Sequence, residues 1–148
     1  MVKVETIGMY DVAKINPTLV SDKAVKNYSF VTVDGILYLI DNTVVGDDSY
    51  KEDISIPAGD KLNGYAVKAW EGQKLVVDAK HVVDGIEALN KGDVLVANAD
   101  GKLVTGEAVG VYFVVAEKTI LTEAAIKVTV AVGGNAEPDE PNTDTNGE

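Results

Sequence analysis

Residues 29–40 read SFVTVDGILYLI, two β-branched and aromatic runs joined by Asp34-Gly35. Asp-Gly supplies the two left-handed residues of a type I′ turn, the tightest link between antiparallel strands. A two-residue loop fixes the register. Val33 then faces Ile36, Thr32 faces Leu37, Val31 faces Tyr38 and Phe30 faces Leu39. Both faces of this hairpin are largely apolar, so both need cover. A second sheet and a neighbouring subunit are the expected covers.

The rest of the chain repeats this pattern of short apolar runs broken by Gly and Asp. Residues 93–105, DVLVANADGKLVT, read as a second hairpin turning at Asp100-Gly101. Further strands are predicted over 64–70 (GYAVKAW), 74–77 (KLVV), 109–116 (VGVYFVVA) and 125–132 (AIKVTVAV). In the last, Lys127 and Thr129 alternate with Ile126, Val128 and Val130, the period of a half-buried strand. Residues 116–122 are expected to cross between the last two strands. Residues 81–90, HVVDGIEALN, allow one or two helical turns, weakened by Gly85 and terminated at Gly92. An internal echo pairs GDKL (59–62) with GQKLV (72–76), and GDVL (92–95) with GKLV (101–104). Duplication and shared turn chemistry both produce such an echo.

Together these segments predict an all-β fold, a small antiparallel β-barrel or sandwich over residues 29–135. Residues 1–28, interrupted by Pro17, read as an extended arm, an edge strand or an arm docked on another chain. Residues 136–148, AEPDEPNTDTNGE, hold five acids, two prolines and no base. They offer too little apolar surface to offset the entropy of ordering, which predicts a disordered acidic tail.

The net charge of −11 and the dispersed lysines argue against a nucleic-acid partner. The same charge repels anionic membranes. The apolar runs are far shorter than a membrane span, and the opening MVKVETIGMYDVAKINP lacks a signal-peptide core. Without cysteine there are no disulfides and no thiolate chemistry. The single histidine, His81, excludes a His-based zinc site within one chain.

Candidate chemistry is sparse. Asp93, Asn98 and Asp100 resemble fragments of a calcium loop, but the closing Glu is missing and an Asx-capped turn accounts for them. Asp47, Asp48, Glu52 and Asp53 could do paired-carboxylate work only in a cleft that sets their separation. A solvated loop is the plainer reading. His81 has neither a serine elbow nor an evident carboxylate partner, so it reads as structural. Gly133-Gly134 lacks the lysine and helix of a phosphate loop. No catalytic, cofactor-binding or metal-ligating residue is therefore expected. The interface candidates are Tyr65, Trp70, Tyr112 and Phe113. Tyr65 and Trp70 read as opposite faces of one strand, with Trp70 a core filler or an interface anchor. Tyr112 and Phe113 also point opposite ways, and at least one is expected to reach beyond the core.

Residues 91–132 run G-D-x-L, then D-G-K-L-V, then a Gly-started strand ending in Ala, then V-x-V-x-V. This pattern resembles the small β-barrel decoration and head-stabilisation proteins of tailed bacteriophages, with capsid-bound head-fibre domains a near variant. The match covers about forty residues of the 148, with Gly92-Asp93 and Gly101-Lys102 as scaffold positions. The N-terminal ninety residues depart from it. The resemblance implies a C-terminal β-meander and a non-enzymatic homo-oligomer, often a trimer. It further implies a place on the outer capsid surface of a virion, with the major capsid protein as partner. A carbohydrate- or surface-binding adhesion module would instead need an exposed aromatic platform around Tyr65 and Trp70. A small hydrolase would need a polar cleft around His81 or Asp47.

Overall fold

The computed structural model describes residues 2–42, 54–120 and 123–133. The strands are β1 (Val2–Val4), β2 (Ile15–Val20), β3 (Val25–Lys26), β4 (Phe30–Val33), β5 (Ile36–Ile40) and β6 (Ser55–Ile56). They continue with β7 (Lys61–Ala66), β8 (Lys74–Asp78), β9 (Val94–Ala97), β10 (Leu103–Thr105), β11 (Val111–Ile120) and β12 (Ala124–Val132). Three antiparallel sheets result, in the orders β1-β8-β12-β11-β9-β10, β2-β7-β5-β4 and β3-β6. The fold is all-β, as expected, but it is not a closed barrel: β1 and β10 end the large sheet without meeting.

The first hairpin has the register its turn dictates, Val33 opposite Ile36 through Phe30 opposite Leu39. Asp34 and Gly35 carry the positive φ angles of 53° and 80° that the turn requires. Its two apolar faces meet two separate cores. Phe30 and Leu39 face the large sheet, packing with Leu95, Phe113, Val128 and Val130. Val31, Tyr38 and Ile40 pack on the other side with Leu19, Val25, Ile56 and Leu62. The second cover is thus the chain's own β3–β6 ribbon, and the expected neighbouring subunit is not needed there.

The N-terminal segment is not a free arm. β1 pairs β8 with Val2 and Val4 buried and Lys3 outward, while β2 forms the edge of the four-stranded sheet. A 3-10 turn between them, Ile7–Asp11, buries Met9 in the larger core. Alternation at Val2 and Val4 is too short a signal to read from sequence alone.

Other boundaries shift for local reasons. The strand expected over 64–70 stops at Ala66, and Val67–Trp70 is a 3-10 turn. Residues 116–120 continue β11 through a bulge between Val115 and Glu117, so they are not a crossover. The 81–90 segment is turns beside a 3-10 turn at Ala79–His81, and no longer helix forms. The expected meander is also altered, since β11 returns to β9 rather than to β10. The echo is local turn chemistry: β7 and β8 lie in different sheets, whereas β9 and β10 pair. The acidic tail 136–148 and the cluster Asp47, Asp48, Glu52 and Asp53 lie outside the described residues.

The β9–β10 loop ties the two larger sheets together. Asn98 Oδ1 accepts from the backbone N–H groups of Asp100 (2.9 Å) and Lys102 (3.0 Å), the Asx geometry expected. Phe30 N–H donates to the Gly101 carbonyl at 3.4 Å. Gly101 has φ +82°, and a Cβ there would stand 2.6 Å from the Phe30 carbonyl oxygen. Gly101→Ala therefore combines left-handed strain with a backbone clash and costs about 3 kcal/mol. Urea unfolding checks this; an unchanged midpoint would show that the loop does not rest on β4.

Candidate functional site

Alternation along the large sheet decides which residues form its outer face. Leu95, Phe113, Val115, Val128 and Val130 point into the core and are at most 2 % exposed. Their neighbours must point outward. Val94 stands opposite Val114, Val114 opposite Thr129, Tyr112 opposite Ala131, and Val104 opposite Val96. These seven residues make one uncharged, half-buried strip across β10, β9, β11 and β12. Gly106 continues it, since a Cβ there would lie 2.5 Å from Val96 Cγ2.

One end of the strip is polar. Lys127 Nζ lies 2.9 Å from Glu5 Oε2 and 3.8 Å from Glu117 Oε2. The Lys127 hydrogen bond holds Glu5 below the usual carboxylate range, and the same bond raises Lys127. The pair is solvent-facing, so it orders the rim more than it stabilises the fold.

The four interface candidates separate clearly. Tyr112 lies on the outer strip, while Phe113 is wholly buried, 5.1 Å from Phe30 between ring centroids. Trp70 is also wholly buried, which makes it the core filler of its two readings. Its Nε1–H donates to the Met9 carbonyl at 2.7 Å. Tyr65 and Trp70 are not on opposite faces. The 3-10 turn rotates successive side chains by about 120° instead of 180°, and it stacks Trp70 on Tyr65 at 5.6 Å. Tyr10 lies 5.0 Å from Tyr65, so Tyr65 has neighbouring rings from Trp70 and Tyr10 and is no open sugar platform. Burial, with a contribution from Asp41, pushes the Tyr10 phenol up to about 12 and raises Tyr65.

His81 follows the buried Asp78 at the end of β8 and forms a backbone hydrogen bond with Gly101. Burial pushes its imidazole down to about 4, against an opposing pull from Asp78. It is neutral near pH 7 and sits beside the β9–β10 loop. The carboxylate neighbour was hidden in the sequence because a turn, not a strand, brings residue 81 back toward residue 78.

Among the described residues no three His, Asp or Glu side chains gather where they could hold a metal ion. Asp93 Oδ2 is spent on the Asn90 N–H at 2.8 Å, away from the Asn98 turn. No helix among the described residues is long and apolar enough to cross a membrane. Among the described residues, an open groove of about 520 Å³ beside Asn42, Ser55 and Pro57 is lined by one carboxylate, Asp60, and one lysine, Lys61.

Sequence reasoning found Tyr112 but missed Val94, Val96, Val104 and Val114. In DVLVA and VYFVV nearly every position is apolar, so inside and outside are indistinguishable until the register is known. No family model matches this chain, and no curated protein or solved structure matches it.

Proposed function

We propose that this chain is a non-enzymatic structural protein of a virion, seated on the outer capsid surface and stabilising contacts between capsomers. Its partner in this reading is the major capsid protein, and the fold serves as an open, layered β-sandwich assembling as a homo-oligomer. The observation that carries the reading is the outer strip around Tyr112, seven uncharged residues spread over four strands. The resemblance over residues 91–132 supports the same reading, because that segment supplies the four strands bearing the strip. Attachment would come from apolar burial at each site, repeated over many sites on a lattice. The adhesion reading has less to stand on, since Tyr65 packs in a three-ring cluster with Tyr10 and Trp70.

Tyr112→Glu tests the reading. It places a charge in the middle of the strip while leaving the core untouched. Binding of the purified variant to capsids lacking this protein should fall more than about tenfold, with the wild-type circular dichroism retained. Full binding by a folded Tyr112→Glu protein would remove the strip from the attachment surface.

A further inference from the structure

The outer face of the large sheet has a positive border along one side. Register places Lys74 of β8 opposite Thr129, and Thr129 opposite Val114. Lys74 therefore abuts the uncharged strip, with Cβ atoms about 5 Å apart across the pair. In the next row Lys3 of β1 stands opposite Val76, Val76 opposite Lys127, and Lys127 opposite Glu117. Glu5 follows β1 and reaches the same face, where it meets Lys127. Val2, Val4, Leu75, Val77 and Val128 point into the core, so alternation turns these charged neighbours to the strip's side of the sheet.

Lys127 is spent on Glu5 and Glu117. Among the described residues no carboxylate forms an ion pair with Lys3 or Lys74, and Lys74 adds only a through-space attraction on Glu5. Asp78, in the row after Val76, is buried beside His81 and does not reach solvent. Glu123 stands toward the tip of the β11–β12 hairpin, four residues beyond Lys127. Three ammonium groups against two carboxylates leave this border positive, on a chain whose net charge is −11. The far side of the strip is different. There Lys102 shares the β9–β10 turn with Asp100, and Glu107 follows β10 and is exposed. Beyond Val96 the face runs into a crevice between the two larger sheets, where Thr32, Leu37, Val109 and Val111 contribute no charge.

We propose that the surface docking on this face is a protein surface with an apolar centre and a row of Asp or Glu side chains along one side, seated on Lys3 and Lys74. The proposal rests on the virion reading in taking that surface to be the capsid's. An uncharged strip gives a docked chain no preferred rotation, whereas a border charged on one side does. Carboxylates over β1 and β8 meet free ammonium groups. After half a turn the same carboxylates would meet Glu107, and like charges brought together in an interface reject that orientation. The border thus fixes how the chain sits on its site, while the strip and the crevice supply the apolar contact.

Binding to capsids lacking this protein, measured at low salt, tests the proposal. Lys3→Glu/Lys74→Glu should weaken binding at least about tenfold. Lys14→Glu/Lys68→Glu makes the same change in net charge before β2 and in the Val67–Trp70 turn, away from the outer face, and should bind as wild type does. Carbodiimide treatment of the wild-type complex should join Lys3 or Lys74 to an Asp or Glu of the capsid protein, a result that needs no variant to fold. A folded Lys3→Glu/Lys74→Glu protein that binds fully, a control that weakens binding equally, or bridges from these lysines only to other copies of this chain would each overturn the proposal and leave the attachment reading standing. Wild-type protein that fails to bind the capsids would overturn both.

Discussion

Trp70→Ala should lower the free energy of unfolding by about 5 kcal/mol. The indole is wholly buried, stacks on Tyr65 at 5.6 Å and meets Tyr10 edge-on at 6.4 Å. Its removal opens a ring-sized cavity and takes away the donor to the Met9 carbonyl, 2.7 Å away. Met9 belongs to the 3-10 turn between β1 and β2, so the loss also loosens the N-terminal segment. Trp70→Phe, which keeps a ring but not the N–H, should cost about 2 kcal/mol. Guanidinium unfolding followed by far-UV circular dichroism measures both. A loss below about 1 kcal/mol for Trp70→Ala would mean that the indole is not a core residue. A charged group at Trp70 should likewise unfold the chain, and so cannot probe an interface.

Acidification between pH 6.5 and 4 should destabilise the fold by about 3 kcal/mol through His81 alone. Its imidazole titrates near 4 in the folded chain, below its ordinary value of 6.5, because it is buried. The unfolded state therefore takes up the proton first as pH falls. His81 contributes its full stabilisation above pH 6.5, and this is lost as pH falls through 4. Carboxylates titrate in part of the same window, so His81→Gln serves as the reference. The stability difference between wild type and His81→Gln should be constant above pH 6.5 and shift against the wild type toward pH 4. A difference that stays flat over that window would show a solvated imidazole.

The parts of this fold legible in the sequence are those set by turn chemistry. Asp34-Gly35 fixed four residue pairs at once, and Asp100-Gly101 marked the second hairpin. Alternation around Lys127 and Thr129 placed the inward side of β12 correctly. Pairings between distant segments were not legible, because nothing local specifies them. β1 with β8 joins residues about seventy-three positions apart, and β2 with β7 joins residues about forty-five apart. The 3-10 turn at Val67–Trp70 was missed for another reason: a β-branched and aromatic run looks like strand until tertiary packing turns it. Of the candidate interface residues, Tyr112 and Phe113 were known to face opposite ways, but their parity alone could not say which was inside. The answer came from Leu95 opposite Phe113, both wholly buried.

We propose that this protein sits on the outside of a particle. Density-gradient fractionation of lysates from its source, probed with an antibody to the chain, tests it most directly. The account predicts that the protein co-migrates with intact particles and is released by conditions that strip their surface without opening them. Recovery solely in the soluble fraction, from a lysate shown to contain intact particles, would contradict it.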